Sequence, residues 1–284
     1  MKKQTFIQAT IILVIIGMIV KVLGLINRML IARLLTPEGI GVYMMVMPTF
    51  ILIIALAQLG FPISISKLVS ENNIKQEISN KTIVLKALKI SVINSSILII
   101  VLLLSAQYLS HSLLNDPRTY YPLLMLLIFI PLVSFTSILK GYLHGYKIIA
   151  TPSYSQLIEQ IVRITTSVAL VIILLPYGVE IAVSGAIIAI SLGEASALIY
   201  MIYKIKNKRS WNLILSKRKE DIASNRQVTK DILTISIPAT GSRLIGSLSH
   251  FLEPIIFSFA MLSLGISSKY ITRIYGQITG YTRS

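Results

Sequence analysis

The chain has 284 residues, 54% of them hydrophobic and only 13% charged, with a mean hydropathy of +0.77. That balance excludes an ordinary soluble domain. The formal charge of +16 would suggest nucleic acid in a soluble chain. Here Lys and Arg sit beside long apolar runs, so bilayer orientation and anionic membrane lipid explain them and nucleic acid is not an expected partner. The absence of Cys excludes disulfides, thiolate metal sites and cysteine catalysis.

Seven apolar stretches follow one another, each long enough to cross a hydrocarbon core, which takes roughly 20 residues. Residues 97–104, 123–133 and 168–175 are continuous apolar runs rather than alternating ones, so the spans are helices and not barrel strands. Span 1 is predicted over 5–35, with Gly17 and Gly24 as soft points. Met1-Lys2-Lys3 precedes it as in a signal peptide, but no small-residue cleavage site follows, so the span is expected to be retained. Span 2 covers 41–59 and carries Pro48, a helix-kinking residue. The stretch 64–81 reads as a polar connection of mixed charge. Spans 3 to 6 follow at 84–104, 121–139, 157–175 and 179–203. A basic loop, 204–230, then leads to span 7 over 232–264, a run longer than one membrane thickness that contains Pro238, Gly241 and Pro254 and is expected to bend near Pro254. The expected fold class is all-α: a polytopic helical membrane protein with one six-helix lobe (1–203), a basic loop (204–231), and the first helix of a second lobe (232–284).

Basic residues set the orientation. With the N-terminus in the cytoplasm, Lys2, Lys3, Lys67, Lys75, Lys81, Lys86, Lys89, Lys140, Lys147 and the 204–230 cluster all fall inside. The outer connections keep only Arg33, Arg118, Lys269 and Arg273, as the positive-inside rule requires. Lys204, Lys206, Lys208 and Arg209 with Trp211 also suit anionic headgroups, although a solvated, topology-fixing loop explains them as well.

Enzyme signatures are missing. Gly141-Tyr-Leu-His-Gly145-Tyr-Lys147 has the wrong spacing for a phosphate loop. Asp116, Asp221 and Asp231 stand apart, as do His111, His144 and His250, so neither a Mg²⁺ pair nor a metal triad is written. No cofactor is expected.

Charge at membrane depth is the informative feature. Lys21 and Arg28 lie in span 1, Glu159 and Arg163 in span 5, Glu194 in span 6, and Arg243 and Glu253 in span 7. Each would cost about 2.5–3.5 kcal/mol facing lipid at mid-depth, so each is expected to face protein or water. Lys21 and Arg28, seven apart, share a helix face, and Glu159 and Arg163 have the i,i+4 spacing for mutual pairing. Lys21, near the middle of its span, is the leading candidate for an anion contact, against a buried ion pair with Glu194. Arg28 could instead snorkel to the outer interface. The candidate substrate-binding set is Lys21, Arg28, Arg163, Arg243 and Glu159. Tyr142 and Tyr146 read as interfacial belt residues.

Three sequence blocks carry a resemblance. The first is Gly24-Leu-Ile-Asn-Arg28-Met-Leu-Ile-Ala32-Arg33, with Glu38-Gly39-Ile-Gly41-Val-Tyr43, Pro48, Gln58-Leu-Gly60-Phe-Pro62 and Ser64-Ile-Ser66-Lys67. The second is Lys140-Gly141-Tyr-Leu-His-Gly145-Tyr146, Thr151-Pro152, Ser155-Gln156 and Glu159-Gln160-Ile-Val-Arg163. The third runs from Ile237-Pro238 through Arg243, Leu252-Glu253-Pro254 and Tyr275-Gly276-Gln277 to Gly280-Tyr281. Together they resemble bacterial polysaccharide exporters of the stage V sporulation protein B type. These belong to the multidrug/oligosaccharidyl-lipid/polysaccharide exporter superfamily. The resemblance implies two six-helix lobes around a central cavity, alternating access, and a basic residue at Lys21 facing a diphosphate. It implies a flippase for a polyprenyl-diphosphate-linked, lipid II-like saccharide in the cell membrane. Members have roughly twelve to fourteen spans, so a missing second lobe or other cell-wall synthesis proteins are expected partners. A multidrug/cation antiporter and a membrane scaffold for cell-wall enzymes are the alternatives. Intramembrane bases outnumber acids, which favours an anionic cargo over a cationic drug.

Overall fold

A computed structural model describes residues 6–75, 79–206 and 225–281, which are helical and contain no strand. The helices are α1 (Phe6–Leu34), α2 (Pro37–Gln58), α3 (Phe61–Lys75), α4 (Asn80–Tyr108), α5 (Tyr120–Gly145), α6 (Ala150–Leu174), α7 (Val179–Lys206), α8 (Asn225–Ser263) and α9 (Ser268–Tyr281). A π-turn, Leu109–Leu113, prolongs α4, and 3-10 turns at Pro117–Thr119 and Leu175–Tyr177 lie at the same end of the bundle. Seven of the described helices are long and apolar enough to cross a membrane. The protein is therefore a polytopic helical membrane protein. The part of the basic loop between Lys206 and Asn225, Trp211 included, lies outside the described residues.

Successive spans run antiparallel. One end of the bundle, where α1 begins, is called the near end; α1 finishes at the far end. Spans α2, α5 and α7 are buried over most of their length, whereas α1, α4, α6 and α8 bury only a minority of theirs. The exposed side of α4 is a stripe of Ile93, Ile97, Ile100, Val101 and Leu104, and α1 exposes Leu13, Val14, Ile15 and Met18. Apolar surface this extensive belongs against lipid chains.

Three apolar clusters fill the bundle. One joins α2, α4, α5, α7 and α8 through Phe50, Leu102, Leu126, Phe129, Ile187 and Ile255, with Phe50 and Phe129 in ring contact at 4.8 Å. A second, nearer the far end, gathers Ile31, Val42, Met45, Val183, Ile271 and Tyr275. The third holds the near end together through Phe61, Ile65, Ile83, Tyr142, Met201 and Ile232.

Several expectations change. The stretch 64–81 is not an open connection: α3 continues the run of α2 across a break at Leu59 (φ 42°) and Gly60 (φ 61°). A Cβ on Gly60 would stand 2.7 Å from the Ser236 carbonyl oxygen, so position and backbone both demand glycine. Lys140 lies inside α5 rather than in a loop. Tyr142 is 1% exposed, packed against Tyr146 at 4.9 Å, and is a core residue rather than an interfacial one. Span 7 begins earlier than predicted, at Asn225; as expected, it is one helix, α8, that runs through Pro238 and Pro254. The segment after it folds back as α9, whose Ile271 and Tyr275 are buried against α2.

The α2–α9 contact is set by glycines. A Cβ on Gly41 would lie 2.1 Å from the Thr272 carbonyl oxygen, and one on Gly276 would lie 2.5 Å from the Gly41 backbone. Polar bonds fasten the same contact at the far end. Arg118 bridges Asp116 at 2.7 Å and Glu38 at 3.0 Å, Lys269 reaches Glu38 at 3.1 Å, and the Thr272 hydroxyl donates to Asp116 at 2.6 Å. Ser268 donates to the Asn115 carbonyl. At the near end Ser236 of α8 donates to Ser64 of α3 at 2.8 Å, and Asn72, Asn80 and Tyr146 tie α3, α4 and α5.

Candidate functional site

Six helices converge on a cavity of about 370 Å³. Polar side chains enter from four of them: Asn27 and Arg28 from α1, Gln160 and Arg163 from α6, His250 and Glu253 from α8, and Thr279 from α9. Met44, Met47, Phe50 and Ile51 of α2 form the apolar wall, with the Tyr43 ring beside them. Measured along the helices, Arg163 and Glu253 stand about ten residues from the far end, roughly 15 Å, so the cavity sits at mid-depth. Its volume is at the small end of the range of about 300–1,000 Å³ usual for ligand clefts.

The polar groups are positioned by ordinary helix geometry. Gln160 and Arg163, three apart on α6, project from one face. Pro48 and Pro254 cannot donate a backbone N–H, so the carbonyls of Met44 and His250, both cavity residues, lose their i+4 amide partners. The cavity thus combines two guanidinium groups with several oxygen acceptors.

The predicted residues divide into three groups. Arg28 and Arg163 line the cavity. The Arg28 guanidinium donates to the Thr279 carbonyl of α9, so it is held in the bundle instead of snorkelling to the interface. Arg163 donates to Glu159, which confirms the i,i+4 pair. Glu159 is 8% exposed and sits behind Arg163, not in the cavity wall. Lys21 and Arg243 lie outside the lining. Lys21 is exposed one turn from Gly24 on α1, and Arg243 donates to Gln58 at 2.7 Å. The expected rival partner of Lys21 is otherwise engaged: Glu194 pairs with Lys140 of α5 at 3.8 Å.

Sequence reasoning missed Tyr43, Asn27, Gln160 and His250 as cavity residues. One signal was available for Gln160. On α6, Gln156, Glu159, Gln160 and Arg163 form a polar stripe in an otherwise apolar span. Two polar atoms in this wall are buried without hydrogen-bond partners, Arg163 Nε and Gln160 Oε1. A buried orphan donor and acceptor side by side cost free energy unless something meets them.

Comparison with known proteins agrees with this architecture. Residues 6–270 match the polysaccharide biosynthesis protein family. Stage V sporulation protein B of Bacillus subtilis (strain 168) is 37% identical over 99% of this chain and 54% of its own length. Lipid II flippase MurJ of the same organism is 23% identical over 91% of this chain and 50% of its own. The chain therefore spans about half the length of the curated relatives it matches. Among solved structures, an inward-facing multidrug resistance MATE family transporter of the MOP superfamily superposes with a TM-score of 0.71 at 18% identity, covering 94% of this chain and 59% of that one. An outward-facing form gives 0.70, also at 18%, over 96% and 64%. Equal likeness to both forms reports shared fold and not a transport state. The chain belongs to the polysaccharide biosynthesis protein family.

Proposed function

We propose that this chain forms the anion-binding half of a flippase for a polyprenyl-diphosphate-linked saccharide, in a membrane whose cytoplasmic side is the near end. The observation that carries the reading is the convergence of Arg28 and Arg163, from two helices, on one mid-depth cavity. Against those two cations the cavity sets one carboxylate, Glu253. That surplus suits a diphosphate and opposes a cationic drug. The Met44 and His250 carbonyls and Gln160 Oε1 offer acceptors for sugar hydroxyls. Lys21, one turn toward the near end on the strip that bears Gly24 and Arg28, is proposed as the first cation the diphosphate meets. Transport would require a second half, because a site between two repeats cannot alternate with one.

Binding tests the reading directly. The chain in lipid nanodiscs would be titrated with undecaprenyl diphosphate, undecaprenol and ethidium, with native mass spectrometry as the readout. The diphosphate should bind, the alcohol and the cation should not. A charge-assisted hydrogen bond is worth about 1.5–3 kcal/mol, so Arg28→Ala or Arg163→Ala should weaken diphosphate binding about 10- to 150-fold. Equal binding of alcohol and diphosphate would dismiss the anion site.

A further inference from the structure

We infer that Glu159 is a proton acceptor, ionised while the cavity is empty and protonated when an anion occupies it, so that anion loading is coupled to proton uptake. The inference rests on the anion-binding reading of the cavity and adds to it a coupling ion and the group that carries it.

Arg163 faces two ways. On one side its guanidinium donates to Glu159 through Nη2; on the other the side chain forms part of the cavity wall, while its buried Nε has no hydrogen-bond partner. Glu159 itself is shut off from the cavity behind that guanidinium. Behind Glu159 stands a second buried carboxylate, Glu194 of α7, which is 4% exposed. Gly193 brings it there: a Cβ at that position would lie 2.9 Å from the Glu159 carbonyl oxygen and 3.2 Å from Arg163 Cβ. Glu194 has Lys140 of α5 at 3.8 Å, and its Oε1 accepts no hydrogen bond.

Beside Arg163, the charged side chains that act on Glu159 are Glu194 and Lys140. The remaining titratable groups around it lie across the cavity: Arg28 of α1, Tyr43 of α2, and His250 and Glu253 of α8. An anion in the cavity competes with Glu159 for one guanidinium. In a low-dielectric interior two negative groups on one cation are costly, and the neighbouring Glu194 adds to the cost. One proton removes it. A strongly acidic ligand cannot accept that proton, and Glu194 keeps Lys140, so Glu159 is the site. Arg163, turning to the anion, uncovers the Glu159 carboxylate, which takes one H⁺ from water and becomes a neutral acid. No bond to the ligand forms or breaks, and Arg163 is released to the anion.

Ethane-1,2-disulfonate is a suitable probe, because it does not titrate near neutrality and every proton counted belongs to the protein. It would be mixed with the chain in weakly buffered nanodiscs containing a pH indicator, with binding measured in parallel by calorimetry. The expected result is uptake of about one proton per bound disulfonate, and affinity that falls up to tenfold per unit rise in pH. Glu159→Gln should bind the probe, take up no proton, and lose the pH dependence. Absence of any disulfonate binding would overturn the anion site, and this inference with it. Binding by the wild-type chain without proton uptake would overturn the inference alone. Undiminished uptake in Glu159→Gln would do the same, and would move the proton to His250.

Discussion

Replacing Gly41 with alanine should loosen α9 from the bundle. The added Cβ would sit 2.1 Å from the Thr272 carbonyl oxygen, 2.7 Å from its carbon and 2.8 Å from Cγ2. Two of those atoms are helix backbone, so no rotamer change relieves the clash. Ordinary contact begins near 3.4 Å, and α9 would have to retreat by about 1.3 Å. That retreat stretches the Thr272–Asp116 hydrogen bond from 2.6 Å to nearly 4 Å, about where it ceases to be one. Overpacking of this kind costs about 1–3 kcal/mol. If the cost falls on docking of α9, the docked-to-undocked ratio drops about 5- to 150-fold. Hydrogen exchange read by mass spectrometry on the chain in detergent would report it, as faster exchange of the amides around Tyr275 and Gly276 by that factor. Gly17→Ala is the control, since nothing lies within 4 Å of a Cβ there. Exchange within twofold of the wild type in Gly41→Ala would refute the close-approach argument.

Three further outcomes are expected. Arg163→Leu leaves the buried Glu159 carboxylate without its cation, at a cost of about 3–5 kcal/mol, and Glu159→Gln added to it should recover most of the lost thermal stability; equal melting of the single and double variants would count against the pair. In whole cells, a cysteine at the exposed far-end position Ser112 should react with an impermeant thiol reagent, and one at Ser216, outside the described residues, should not. The reverse pattern would invert the proposed orientation. Expressed alone, the chain should insert in the membrane yet fail to move a fluorescent undecaprenyl-diphosphate saccharide across vesicles, and robust flipping would mean that copies of this chain supply the second half.

The spans were legible because their signal is one-dimensional. An apolar run of sufficient length is a helix in lipid, and its residues state their own depth. The i,i+4 pair Glu159–Arg163 was legible for the same reason, since both partners share one helix. What could not be read was rotation. Whether Lys140 faces water or Glu194 depends on how α5 and α7 turn about their axes, and neither sequence stretch records the other. Tyr142 looked interfacial from its place near a span end, but α3 covers it. The helix α3 itself was hidden because its polar residues, among them Lys67, Ser70 and Glu71, dilute the apolar pattern while Phe61, Ile65 and Val69 still bury one face. Lys21 was weighted by its depth and by the resemblance, whereas Arg28, one face-repeat away, is the α1 cation that reaches the cavity.

The seam between Gly41 and Gly276 also sets a timetable for biogenesis. Its two sides are separated by 235 residues of chain, and at about 5–20 residues per second the second side emerges roughly 10–50 s after the first. Throughout that interval the small-residue face of α2 stands in the bilayer beside the translocon with no α9 to cover it, open to any passing helix. Asp116, which α9 will later cap through Thr272, already has Arg118 two residues away and needs no such wait. The Asp116–Arg118 pair can therefore form locally, before α9 has been made, and the tight backbone contact between Gly41 and Gly276 must wait for it.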